Sequence, residues 1–324
     1  MTTQLSITKH LKSRMAGITA LYALLLLPID TGQTELAKAL SDACHGPLFA
    51  LVAISSLSHL AKTRSSAENT SLLYFKAFLI AVLLGILGEI AQYLFTTTRY
   101  AQAKDVLTDT LGAFAGLTWL AQSDSRLGIK SHLKKWLVIA TAASIGLIIF
   151  PVASSSTFYL QRWQQLPELI SLDSVAGYHF LRAGNSTATL SSIPTAWNRA
   201  PNETALLISP DHEGRWAGVT LEEPTPNWSA HSYLVLELIN PNEIPLALNL
   251  RIDDRKHNQE FDDRFNRALN IPMHTRISIK IPLNEIAHGP QARQLNLKDI
   301  TKLVLFEDLQ RHRLPFYLCS MRLE

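Results

Sequence analysis

The sequence predicts a chain of α+β, multidomain class, in which an N-terminal bundle of five transmembrane helices precedes an all-β antiparallel sandwich of jelly-roll type. Three observations predict it. Up to Val152, long apolar runs alternate with short polar loops. From Ala153 onward charges are dispersed, and from about Leu172 the apolar runs are short and alternate with period two. Across the whole 324 residues only 18% are charged, as expected when a membrane portion is averaged with a water-exposed one. The predicted boundaries are 1–152 for the helices, 153–167 for a tether and 168–324 for the sandwich.

Lys9, Lys12 and Arg14 precede the first apolar run, Met15 to Ile29. A signal peptide has the same basic flank, and Ala37-Lys-Ala39 offers a small-x-small cleavage pattern. That pattern lies well past the apolar core and further spans follow directly, so the run reads as a first helix. Further spans are expected at His45 to Ala61, Leu72 to Phe95, Val106 to Ala121 and Trp136 to Val152. Each is near the roughly 20 residues needed by a hydrocarbon core about 30 Å thick, with the second and fourth on the short side. Lys9, Lys12, Arg14, Lys62, Arg64, Arg126, Lys130, Lys134 and Lys135 then fall on one side, against Lys38, Arg99 and Lys104 on the other. Positive residues stay inside, so the expected topology has a cytoplasmic amino terminus and an extracytoplasmic C-terminal domain.

Within the apolar part, polar side chains fall at helical spacing. Gly85, Glu89 and Gln92 share one helix face; Asp105, Asp109, Gly112 and Gly116 make a second stripe, whose glycines let a neighbouring helix approach closely. Asp42 and His45 lie on an earlier segment and Arg99 in the intervening turn. The predicted topology brings Asp42, His45, Glu89, Gln92, Arg99, Asp105 and Asp109 to the outer side, as a polar pocket. Ionisable groups at membrane depth are costly and tend to be functional. Arg99 suits a bidentate hold on phosphate or carboxylate, and His45 and Glu89 suit proton transfer. The competing reading is that Glu89, Arg99 and Asp105 fasten the helices together. This pattern of Asp42/His45, Glu89-x-x-Gln92, Arg99 and Asp105-x-x-x-Asp109-x-x-Gly112-x-x-x-Gly116 resembles the VanZ-like family of bacterial membrane proteins, over about residues 21–120. It departs from the family at Ala43, where members often have Lys, and at Asp109, where they often have Asn. This family resemblance implies that the membrane is a bacterial cytoplasmic one.

Bulk properties exclude several classes. A net charge of +3 without a Lys/Arg block gives no nucleic-acid partner. Two cysteines, Cys44 and Cys319, make no disulfide framework and no metal-binding spacing, so no metal ligand is assigned.

In the second part, Tyr233 to Ile239, Leu246 to Ile252, Arg276 to Ile281, Lys302 to Phe306 and Phe316 to Leu323 read as strands, and Asn240 to Pro245 as a turn between two of them. The run Arg251-Ile-Asp-Asp254, Phe261-Asp-Asp-Arg-Phe265, Ile281-Pro-Leu and Leu295 to Phe306 resembles the galactose-binding-like jelly-roll modules of carbohydrate-active enzymes. The resemblance implies glycan or cell-envelope binding. Trp216 and Trp228 are the candidate stacking rings, with Asp254, His257, Asp263 and Arg264 as polar partners; a tryptophan in a sandwich is otherwise a core residue, and Asp263–Arg264 a salt bridge. Asp253, Asp254, Asp262 and Asp263 form an oxygen-rich set that is a candidate for structural calcium; no other cofactor is expected.

The expected function is that of an integral membrane protein of the cell envelope. The sandwich would recognise an envelope polysaccharide, and the polar pocket a lipid-linked precursor. Two other classes fit the same residues: a membrane hydrolase or transferase acting on a lipid phosphate or glycolipid with His45 and Glu89 as acid and base, and a scaffold or sensor binding a protein partner. No catalytic residue is assigned.

Overall fold

The computed structural model describes residues 34–63, 68–95, 102–173, 175–211, 215–307 and 313–324. The chain divides into two compact units between Ser156 and Thr157. The predicted first span and Arg99 lie outside the described residues.

Helix α1 is Glu35–Thr63, α2 Thr70–Phe95, α3 Ala103–Ala121 and α4 Ser131–Gln165, the last of which runs through the boundary at Ser156. Thr34 Oγ1 accepts the Ala37 N–H at 3.2 Å, which satisfies one of the orphan donors at the start of α1. Asn69 does the same for α2 by accepting from Ser71 N–H at 2.9 Å. The turn from α3 to α4 is set by Asp124, which takes Arg126 in a fork at 2.8 and 2.7 Å, and by Gly128 at φ +58°. Among the described residues three helices, α1, α2 and α4, are long and apolar enough to cross a membrane. The predicted fourth span forms helix α3, but its 19 residues carry Lys104, Asp105 and Asp109 in the first half and do not meet that standard. Helix α1 starts ten residues before the predicted span because Glu35 to Cys44 consists largely of good helix formers.

The predicted tether is mostly helical, since 153–165 belong to α4. Ser156 returns its hydroxyl to the Val152 carbonyl at 2.8 Å, so the serines do not break the helix. On the far side of the unit boundary, Phe158 and Tyr159 pack on the sandwich core.

The helical core is made of Phe49, Val52, Ala53, Leu57, Leu73, Ala77, Ala81, Ala113 and Leu117. Alanine dominates where the helices meet, which allows close backbone approach.

Among its described residues the second unit has eleven strands: β1 Glu168–Ile170, β2 Leu181–Gly184, β3 Ser186–Ser192, β4 Thr204–Pro210, β5 Ala217–Glu222, β6 Tyr233–Asn240, β7 Leu246–Asp254, β8 Phe265–Ile271, β9 Thr275–Pro282, β10 Ile300–Glu307 and β11 Phe316–Leu323. They form two antiparallel sheets. One runs β3-β4-β11-β6-β9 with β1 added on β11; the other runs β2-β5-β10-β7-β8. The sheets share one core, with Leu234, Leu236, Leu238, Leu206 and Ile208 facing Leu248, Leu250, Ile252, Leu303 and Leu305. Short helix α5, Leu283–His288, adds Leu283 and Ile286 to it. The turn at Asn240 to Pro245 carries the chain from one sheet to the other. Its Asn240 amide donates to the carbonyls of Ile244, Ile271 and Pro272 at 2.9–3.1 Å.

Candidate functional site

Two sets of residues come together, one in each unit. In the helices, His45 on α1 meets Asp109 on α3, with Nδ1 and Oδ1 2.9 Å apart, both buried. Glu89 on α2 accepts the Gln102 N–H at the start of α3 at 2.8 Å. Asp42 on α1 pairs with Lys104 on α3 at 2.5 Å. Glu89 and Asp105 lie within electrostatic range of His45, and Gln92 is buried on the same helix as Glu89. The glycines are the contact points. A Cβ on Gly112 would stand 2.1 Å from the Gly46 carbonyl oxygen, one on Gly116 2.9 Å from the Ala50 Cβ, and one on Gly85 2.9 Å from Asp109 Oδ2. Every polar contact named here joins two helices, so this arrangement can fasten α1, α2 and α3. It also holds an imidazole against a carboxylate, the geometry of a supported base.

In the sandwich, the outer faces of the two sheets differ. Part of that of the six-stranded sheet is covered by residues 193–203. Trp197 packs there with Ile193, Tyr317, Ile239 and Cys319. Arg276 ties the cover down through Glu203 at 2.5 and 2.8 Å, Glu237 at 3.1 Å and the Trp197 carbonyl at 2.7 Å. Burial pushes the Cys319 thiol up to about 12, so it is no nucleophile at neutral pH.

The outer face of the five-stranded sheet carries a different set. Because Leu250, Ile252, Phe265, Leu303 and Leu305 point inward, alternation turns Asn249 and Arg251 of β7, Asn266 of β8 and Val304 and Phe306 of β10 outward, all half-buried. Register places Phe306 between Gly218 and Asn249, and Arg251 between Val304 and Asn266. Trp216, just before β5, is 56% exposed and packs edge-on to Phe306 with centroids 5.3 Å apart. Its φ of +64° is uncommon and strained for a bulky residue. Arg251 grips Asp253 at 2.8 and 2.6 Å, and Arg264 reaches Asn266 at 3.1 Å.

Four expected sugar contacts need correction. Trp228 is fully buried, its Nε1–H donated to the Thr225 carbonyl at 2.7 Å, so its ring has no face to offer a ligand. Asp254 and Asp263 are buried around Arg293, which reaches Asp254 at 2.6 and 2.7 Å and also grips Asp263. Asn258 N–H and Asn296 N–H complete their shell at 2.8 and 2.7 Å. His257 lies behind the face, 3.1 Å from Arg251 and 3.5 Å from Asp263. The same contacts correct the calcium expectation. Arg293 stands between two of the four acids, Asp254 and Asp263, Arg251 pairs with a third, Asp253, and among the described residues no group of three His, Cys, Asp or Glu is arranged to hold a metal ion. Trp216 and Arg264 do lie on the open face. Sequence reasoning missed Phe306, Asn249, Arg251 and Asn266, although an aromatic in the outward phase of β10 was a readable signal.

No protein-family model matches the chain, and no curated protein does. Among solved structures, an exo-beta-agarase is similar at 16% identity and TM-score 0.40, over 48% of this chain and 24% of that one. The agarase AgWH50C is similar at 14% identity and TM-score 0.37, over 48% and 24%. A family 11 carbohydrate-binding module from Clostridium thermocellum, in complex with a beta-1,3-1,4-mixed-linked tetrasaccharide, is similar at 13% identity and TM-score 0.33, over 44% and 86%. The matched part thus spans about a quarter of the agarase chains.

Proposed function

We propose that this is a membrane-anchored glycan-binding protein of the bacterial cell envelope, and that it takes its ligand on the outer face of the five-stranded sheet. One observation carries the reading: an exposed, strained Trp216 held against Phe306, beside amide and guanidinium groups. Sugars present C–H faces that stack on aromatic rings and hydroxyls that pair with amides, so both halves of the ligand are matched. The helices would anchor the domain on the outer side, as the distribution of positive residues indicates. The VanZ-like resemblance and the handling of a lipid-linked precursor by the polar set belong to this reading.

The test is binding of envelope polysaccharides to the full chain in nanodiscs. Phe306→Ala and Trp216→Ala should each weaken binding by about 2 kcal/mol, roughly thirtyfold, as expected of aromatic anchors. Unchanged binding in both variants would remove this face from consideration.

The His45–Asp109 pair favours a second reading, a membrane hydrolase or transferase acting on a lipid phosphate or glycolipid. His45 would be the base, oriented by Asp109, and Glu89 the acid. On that reading His45→Ala abolishes turnover of a lipid phosphate while the protein remains folded. A variant that loses only its melting temperature would instead mark the pair as a helix fastener.

A further inference from the structure

We propose that the glycan taken by the five-stranded sheet is anionic, its sugar bearing a carboxylate or sulfate that Arg264 meets. The inference rests on the glycan reading above and names the ligand's chemistry.

It comes from the charges on that face. Arg251 is neutralised by Asp253 in a bidentate pair, Lys302 stands 4.0 Å from Glu222, and Arg182, in the same outward row on edge strand β2, donates to the His179 carbonyl. Arg264 makes no ion pair among the described residues; it has the Asn266 amide oxygen at 3.1 Å and the Phe261 ring, centroid 5.3 Å from its guanidinium carbon. Burial, and then the neighbouring Arg251, pull its pKa below the ordinary arginine value. A second guanidinium is therefore kept, partly desolvated, beside a first that already has its anion. A planar fork of this kind fits carboxylate and sulfate oxygens with two parallel N–H bonds. A neutral sugar laid over the face would desolvate Arg264 further and return no charge, which penalises it. An acidic sugar restores neutrality where Asn266 supplies an adjacent amide and Phe306 a ring.

The experiment uses the full chain in nanodiscs of zwitterionic lipid and two matched pairs of probes. Oligogalacturonate and its methyl ester differ by the carboxylate charge; a carrageenan oligosaccharide and an agarose oligosaccharide compare a sulfated with a neutral galactan. The acidic member of at least one pair should bind about tenfold tighter or better, the scale of one charge-assisted contact. Arg264→Gln should remove that preference and Arg264→Lys should keep part of it, since the charge remains and the fork does not. Which pair responds separates carboxylate from sulfate. Equal binding of acidic and neutral members, lost in Phe306→Ala, would overturn the anionic assignment and leave the glycan reading standing. Acid preference that survives Arg264→Gln would overturn the role of Arg264. No binding of any of the four probes would overturn the anionic assignment, while the glycan reading falls only if the envelope polysaccharides fail to bind as well.

Discussion

Arg293→Ala is expected to destabilise the sandwich by on the order of 3 kcal/mol, because it removes the cation and leaves the Asp254 carboxylate behind. The Asp254 side chain is 0% exposed and takes Arg293 through both oxygens, at 2.6 and 2.7 Å. Breaking a buried pair from one side costs much more than the pair is worth against an apolar replacement, since the surviving charge stays out of water. Arg293→Lys should recover only part, because a single ammonium cannot serve Asp254 and Asp263 together as the fork does. Thermal unfolding of the full chain in detergent, followed by near-ultraviolet circular dichroism, measures both.

The pH dependence has a definite sign. Burial pushes the Asp254 carboxyl up, but hydrogen bonds from Arg293 and Asn296 bring it below the ordinary range; Arg293 and then Asn258 hold Asp263 at about 2. Glu203 is held at about 2 by Arg276. All three are lower folded than unfolded, where a carboxyl titrates near pH 4, so their stabilisation is complete above about pH 4 and disappears as pH falls toward 2. Arg293→Ala should move acid unfolding to higher pH. A variant with wild-type melting temperature and acid midpoint would show that Asp254 finds another partner.

That cluster shows where the sequence stopped being readable. Strands β6, β7, β9, β10 and β11 were legible to within one or two residues, because each is a short apolar run, mostly of period two, bounded by turn residues. Edge strand β3, Ser-Thr-Ala-Thr-Leu-Ser-Ser, was not, since an edge strand has little to bury and its pattern is polar on both faces. Nor was sheet membership: Asn240 to Pro245 looks the same whether it joins neighbours or crosses between sheets. Arg293 lies in an irregular stretch 39 and 30 residues from the two aspartates it serves, so they presented as ligands for a sugar or a cation. Periodicity reports what a residue's own strand or helix does and is silent about a partner in a distant loop. The helix stripes were readable for the opposite reason. His45 and Asp109 are 64 residues apart, yet each sits in a regular helix, and the spacing of Asp109 to Gly112 and Gly116 identifies the face it turns to a neighbour.

Those glycines give the second large effect. Gly112→Ala should destabilise the helical unit by about 3 kcal/mol or more, at the upper end of overpacking costs, because the added methyl meets backbone. Its Cβ would be 2.1 Å from the Gly46 carbonyl oxygen and 2.7 Å from the Gly46 Cα, and neither atom can rotate away. Helices α1 and α3 would have to part by more than an ångström, which stretches the 2.9 Å His45–Asp109 contact between them. Gly116→Ala should cost less, since its nearest neighbours are the Ala50 Cβ at 2.9 Å and Cα at 3.0 Å. Gly146→Ala, on α4 with nothing within 4 Å, should cost nothing. Alanine is the better helix former at all three sites, so intrinsic propensity predicts stabilisation in each case. A loss of melting temperature in detergent that grows from Gly146→Ala through Gly116→Ala to Gly112→Ala can therefore come only from the neighbouring helix. Equal melting of all three would mean that α1 and α3 do not meet at Gly46 and Gly112.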